Sequence, residues 1–299
     1  MASSEYFTTR ELAALLRVKE RKVYDLVAEK ALPVRRVTGK LLFPREEIEA
    51  WIAASAARTT AAAAPAPTLH GVPQVMAGGH DPLLEWALKE SRSGIAALLD
   101  GALDGMARFQ TRGCLAAGLH IPAARLSEWN VDAVSEAFGH EAVVLIEWAK
   151  RTRGLMYRPS EKRAIRTLAD IGPLRFQSRQ PEAGSELILA ALLEREGVPN
   201  TSLNRVEAVE RSETDLAMAI AAGRADIGLG IEAAARQLQL EFTPMVVERF
   251  DLLVWRKAYF DPPFQKLMHF CRSEAFRKRA EAFGGYDCSQ FGVVHFNGP

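Results

Sequence analysis

Lys19, Arg21, Lys22 and Tyr24 stand within one short stretch, KERKVYDL, and Arg179, Gln180, Gly184 and Ser185 stand within another, RQPEAGS. The first set has the chemistry of a polyanion surface. Ammonium and guanidinium groups neutralise phosphates, and guanidinium and hydroxyl donors reach base edges or backbone oxygens. The second set has the chemistry of a small oxyanion: a guanidinium forks onto two oxygens, an amide and a hydroxyl donate to others, and a glycine lets backbone N–H groups approach. Neither set pairs a nucleophile with a base. Cys114 lies in an apolar strand context, and Glu182 and Glu186 read as helix N-terminal residues, so no catalytic constellation is expected.

The first set needs a helix to present it. Thr8 and Glu11 have the reciprocal Thr-x-x-Glu spacing of a helix start, and Leu12, Leu15 and Leu16 line one face of the helix that follows. After a break near Val18, a second helix buries Val23, Leu26 and Val27 and exposes Lys19, Arg21, Lys22 and Tyr24. VRRVTGKLLF then reads as two short strands around Thr38-Gly39, a basic wing carrying Arg35, Arg36 and Lys40. Pro44 is expected at the first position of a third helix, with Ile48, Trp51 and Ile52 closing a small core. Such a unit places its second helix in the major groove of double-stranded DNA. In VYDLVAEKALPVRRVTGKLLFPREEIEAWI it resembles the excisionase-like, MerR-related helix-turn-helix domains.

Composition bounds the remainder. The chain has 299 residues and a formal net charge of +1, so affinity for an operator has to come from a local patch, and one patch of this size favours a homodimer on two half-sites. No apolar run approaches the roughly 20 residues that span a bilayer, and MASSEYFTTRE has no apolar secretory core. A cytoplasmic protein without membrane contact is expected. The three cysteines, Cys114, Cys271 and Cys288, lack CxxC spacing and the six histidines lack metal-ligand spacing, so neutral thiols are expected and neither a metal site nor a required cofactor.

AASAARTTAAAAPAPTL, residues 53–69, is a composition break. It divides the chain into a DNA-binding domain at 1–57, a linker at 58–70 and a second domain at 71–299; its alanine-rich half can alternatively extend into a dimerisation helix. The second domain repeats strand, glycine turn and helix: VPQVMAGGH then DPLLEWALKESR, GIAALLDG then ALDGMARFQTRG, and LRFQSRQPEAG then SELILAALLEREG. CLAAGLHI and ADIGLGI supply further strands, and EAVVLIEWAKRTRGLMY is a strand pair or one long crossing strand.

RFQSRQPEAGSELILAALLEREG, SGIAALLDGALDGM, AAGLHI and the ADIGLGI segment together resemble the type II periplasmic-binding-protein fold. The resemblance is to the sensor domain attached to excisionase-type helix-turn-helix units and related to molybdate- and tungstate-binding proteins. It implies a winged helix-turn-helix followed by a two-lobed α/β domain, with lobe I at 71–156 and 251–299, lobe II at 157–250, and ligand between them. Three strand-to-helix turns would then face the cleft: Gly78-Gly79-His80-Asp81, Gly101-Ala102-Leu103 and Ala183-Gly184-Ser185. His80, Gly101, Ala102, His120, Tyr157, Arg179, Gln180, Gly184 and Ser185 are the expected ligand contacts, whereas Asp81 is expected to cap its own helix. Gly79 and Ala102 stand where the relatives often carry serine. The resemblance implies a transcription regulator with molybdate or tungstate as effector; sulfate or an organic carboxylate remains open, as does an excisionase-like architectural protein with an oligomerisation domain.

Overall fold

The computed structural model describes residues 5–15, 19–28, 32–37, 40–48, 71–123, 126–159 and 165–299, with the side chains of Lys22, Asp25, Leu26, Ala28, Arg36, Val37 and Lys40 outside that description. The chain forms two compact units, Met1–Gly71 and Val72–Pro299. The expected linker at 58–70, the Thr38-Gly39 turn, Leu16, Val18, Trp51 and Ile52 lie outside the described residues.

In the first unit, β1 (Tyr6–Thr8) leads into α1 (Thr9–Leu15) and α2 (Glu20–Ala28); β2 (Arg35–Val37) and β3 (Lys40–Pro44) form the hairpin, and α3 occupies residues 45–48. The helix start is built as its sequence requires: the Thr8 N–H donates to Glu11 Oε2 at 2.8 Å, and the Glu11 N–H donates to Thr8 Oγ1 at 3.3 Å. Phe7, Leu12, Ala13, Val23, Leu32, Phe43 and Ile48 make the core.

Two expectations need correction, and one strand was not foreseen. Residues 6–8 form an edge strand, which pairs antiparallel with β3 and makes a three-stranded sheet in the order β1-β3-β2. Pro44 is the last residue of β3, opposite Tyr6, so the third helix begins one residue later. Leu15 is 47 % exposed and lies outside the core that Phe7, Leu12 and Phe43 share.

Among the described residues the second unit has one ten-stranded sheet, with the path β5-β4-β6-β11-β7-β10-β8-β9 and two short strands paired to β7. β4 (Val75–Gly78), α4 (Pro82–Glu90), β5 (Ala96–Leu98), α5 (Ala102–Gln110), β6 (Ala116–Leu119) and α6 (Val131–Phe138) build the first lobe. β7 (Val143–Tyr157) crosses to the second lobe, which contains β8 (Arg175–Arg179), α7 (Gly184–Glu196), β9 (Asn204–Glu210), α8 (Glu213–Ala221), β10 (Ile227–Ile231) and α9 (Glu232–Gln237). β11 (Glu241–Trp255) returns, and α10 (Arg256–Phe260), α11 (Pro262–Phe270), α12 (Glu274–Phe283), β12 (Tyr286–Asp287) and β13 (Val294–Asn297) complete the first lobe.

Within each lobe the outer strands run parallel: β5, β4 and β6 in one, and β10, β8 and β9 in the other. Their carboxyl ends therefore point at the seam, where parallel sheets deliver loops and helix N-termini. The open question over EAVVLIEWAKRTRGLMY resolves to one crossing strand. It is antiparallel to β11 over nearly its whole length. Arg153–Tyr157 pairs with β10, so the last residues of β7 belong to the second lobe's sheet and the crossing falls earlier than the expected 156/157 boundary. Leu126 and Trp129, expected in lobe I, bury into the second lobe's core with Phe176, Ile188 and Leu192. Among the described residues no helix is long and apolar enough to cross a membrane.

Candidate ligand site between the lobes

Arg151 and Arg153 stand two residues apart near the middle of β7, a spacing that puts both side chains on one face of a strand. They are 1 % and 0 % exposed, and buried guanidiniums have to be paired. Glu248, opposite Arg151 on β11, supplies the common partner. Its Oε2 accepts from Arg153 Nε at 2.9 Å and its Oε1 from Arg153 Nη2 at 3.0 Å, while Arg151 Nη2 contacts the same Oε1. Glu248 Oε2 also lies 3.0 Å from His120 Nδ1, at the end of β6.

The second lobe completes the cluster. Glu213, the first residue of α8, meets Arg153 Nη2 at 2.9 Å and Arg179 Nη1 at 3.0 Å, both through Oε1. From the first lobe, Asp81 accepts from Arg151 Nη1 at 2.9 Å and from the Tyr286 hydroxyl at 2.7 Å. Asp81 also caps α4 as expected, accepting from the Leu84 N–H at 2.6 Å. Burial alone would push the two glutamates up. Arg151, Arg153 and His120 instead hold Glu248 well below the carboxylate range, and Arg153 and Arg179 bring Glu213 to about 2. The His120 pKa is lowered as well, but there burial is the cause and outweighs the opposing pull of Glu248.

The lobes touch along this seam. The Leu103 N–H donates to Glu182 O at 3.0 Å, the Gln180 amide to Asp100 O at 2.8 Å, and Arg211 grips Asp100 with bonds of 2.7 and 2.6 Å. The Glu213 N–H donates to His80 Nδ1 at 3.2 Å. Two glycines allow the approach. Gly101 has φ +128°, and a Cβ there would sit 2.8 Å from Glu182 O; a Cβ on Gly184 would sit 2.8 Å from the His120 ring.

The residues expected at the ligand divide. His80, Gly101, Ala102, His120, Arg179, Gln180, Gly184 and Ser185 all lie along this seam, on the turns that close it. Their donors are largely used internally. Arg179 gives Nε to Glu210 O at 2.9 Å and Nη2 to Arg211 O at 2.8 Å, and an α5 N–H already serves the Glu182 carbonyl. Ser185 is the exception: it is 2 % exposed and its Oγ has no hydrogen-bond partner. Tyr157 stands elsewhere. Its hydroxyl is 3.3 Å from Thr243 Oγ1 against the second lobe's core, four residues along β7 from Arg153, or about 13 Å at 3.3 Å per residue.

Arg151, Arg153, Glu213 and Glu248 were not singled out from the sequence. The signal was present: charges in AKRTRGL and VVERFD interrupt strands that are otherwise apolar, and such strands bury both faces. The thiols behave as expected, since burial raises Cys114 and Cys288 to about 12 and pushes Cys271 up as well.

In the first unit Lys19, Arg21 and Tyr24 are exposed, with Tyr24 at 53 %. Arg35 is committed to an exposed pair with Glu47 at 2.6 Å. The side chains of Lys22, Arg36 and Lys40 lie outside the described residues.

Residues 85–272 match the model of the PBP superfamily domain. The chain belongs to that family. Residues 6–56 of this PBP superfamily member match a helix-turn-helix domain. The uncharacterized protein YvgK of Bacillus subtilis (strain 168) is 23 % identical over 306 residues, covering 98 % of this chain and 99 % of its own. A putative phosphate ABC transporter substrate-binding protein from Clostridium perfringens, solved with bound phosphate, is similar in fold at TM-score 0.53 and 12 % identity, over 73 % of this chain and 98 % of that one. CbnR, a LysR family transcriptional regulator, is 13 % identical with TM-score 0.43, over 89 % of this chain and 94 % of that one. A helix-turn-helix domain and a two-lobed binding-protein domain in one chain are the two parts of a ligand-responsive DNA-binding regulator.

Proposed function

We propose that this PBP superfamily member is a non-enzymatic transcription regulator whose second unit binds a small oxyanion at the seam between its lobes. Molybdate or tungstate is the preferred effector. The observation that carries the reading is the convergence of Arg151, Arg153 and Arg179 on a buried seam where the Ser185 hydroxyl, at the N-terminus of α7, has no partner. Guanidiniums, a free hydroxyl and a helix N-terminus are the donors a tetrahedral oxyanion takes. In the closed arrangement Glu213 neutralises two of the three arginines. An incoming anion takes that place, and the exchange alters the contacts across the seam. A tetrahedral oxyanion is also what the phosphate-bound relative carries.

Output runs through Lys19, Arg21, Lys22 and Tyr24 on α2, with Arg35, Arg36 and Lys40 on the wing, in a homodimer spanning two half-sites. That each of the three arginines already meets a protein carboxylate favours one second reading, in which the unit oligomerises and binds nothing small. A thermal-shift titration of the full chain with molybdate, tungstate, sulfate, phosphate and simple carboxylates separates the two. At a hundred times the dissociation constant, binding stabilises by about 2.7 kcal/mol. A shift that Arg179→Ala removes supports the sensor, and a flat response to every anion leaves the second reading.

A further inference from the structure

We propose that Glu147, Asp251 and His295 bind one first-row divalent cation of the zinc or manganese kind, at a site separate from the interlobe arginines. The three residues come from three neighbouring strands, β7, β11 and β13. Each turns one ligand atom towards the others, and these atoms lie within 4.8 Å of one another. Two carboxylate oxygens and an imidazole nitrogen are a donor set that zinc and manganese accept.

An independent observation points to a cation there. Glu147 is 2 % exposed; its Oε2 lies 2.8 Å from His295 Nε2, but its Oε1 is buried with no hydrogen-bond partner. A buried carboxylate oxygen facing no donor is costly, and a metal ion supplies what it lacks. Asp251 is 0 % exposed and is held by Asn130 Nδ2 at 2.8 Å and by Arg249 Nε at 2.9 and 3.0 Å. Outer contacts of this kind fix a ligating carboxylate in place. Arg249 offsets one of the two negative charges, which leaves one for the ion.

The surroundings suit a resident ion. The Glu147 N–H donates to Val293 O and its carbonyl accepts from the Gly292 N–H, each at 2.8 Å, so the segment leading into β13 is already laid over the site. The His295 side chain is 23 % exposed, which gives an entry path from solvent. A bound ion ties β13 to both crossing strands.

The test uses the full chain, stripped with a chelator and titrated with ZnCl2 or MnCl2 by calorimetry, with metal content measured after gel filtration. One ion per chain is expected, together with a higher melting temperature. Glu147→Gln and His295→Gln each weaken binding at least tenfold, while His140→Gln, an exposed histidine outside the cluster, binds as the parent does. If Glu147→Gln fails to fold, the partly exposed His295→Gln decides alone. The proposal is overturned if neither ion binds, or if His295→Gln retains the parent's affinity and stoichiometry.

Discussion

Glu213→Gln is the sharpest test of the seam. The substitution keeps the side chain's shape and removes its charge, which leaves Arg179 without an ionised partner and Arg153 with Glu248 alone. Removing one member of a buried ion pair costs about 3–5 kcal/mol, because the partner stays buried with its charge uncompensated. For a domain of this size that corresponds to a fall in Tm of roughly 6–20 °C, at about 2–4 °C per kcal/mol.

The acid limb gives a second reading of the same quantity. Arg153 and Arg179 hold Glu213 at about 2 against an ordinary 4.5, despite burial. A lowered carboxylate contributes stability above the ordinary value, and that stability is lost as pH falls from 4.5 towards 2, on the order of 3 kcal/mol. The parent therefore loses more stability across this window than Glu213→Gln does. Calorimetric melts at neutral pH and across the acid range measure both effects. If anion exchange is right, molybdate or sulfate restores part of the lost Tm in the variant. An unchanged melting temperature, with an unaltered acid limb, refutes the view that Glu213 is the seam's charge partner.

Other outcomes follow from the same geometry. Ser185→Ala should raise the ligand-free stability slightly, by up to about 1 kcal/mol, because it removes a buried hydroxyl that has no partner, and should shrink the anion-induced shift; a fall in ligand-free Tm contradicts this. Gly184→Ala drives a Cβ to 2.8 Å from the His120 ring and should cost about 1–3 kcal/mol in a thermal melt. Arg21→Ala should weaken operator binding in a gel-shift titration and lower the salt slope by about 1, with Tm unchanged. Arg35→Ala breaks only an exposed pair with Glu47, so its effect on stability should stay within about 1 kcal/mol.

What could be read from the sequence tracks local rules. The Thr8/Glu11 box, the Asp81 cap with Pro82 behind it, and the strand, turn and helix through RQPEAGS follow from near neighbours, and each forms where expected. β1 was missed because three residues preceding a helix carry no strand periodicity; only its partner β3 makes it a strand. The same applies to the arginines. That Arg179 spends its guanidinium on Glu210 O, Arg211 O and Glu213 depends on a loop 31 residues or more away, which no local pattern reveals. Arg151 and Arg153 were visible as charges in an apolar strand, but Glu248 lies 95 residues beyond Arg153, and pairing at that distance comes from topology.

The two crossing strands bear on how the lobes can part. Lys150, Arg151 and Thr152 of β7 lie opposite Arg249, Glu248 and Val247 of β11, so the passage between lobes is a paired ribbon and not two separate tethers. Register shifts at Pro244/Val246 and Phe250/Asp251 bracket that ribbon and give it places to bend. Opening then flexes a ladder that stays hydrogen-bonded. In hydrogen exchange the amides of Arg151 and Glu248 should remain slow whether or not effector is bound, and the cross-seam N–H groups of Leu103 and Glu213 should exchange with each opening. The solvent clock of the seam would thus run at two speeds.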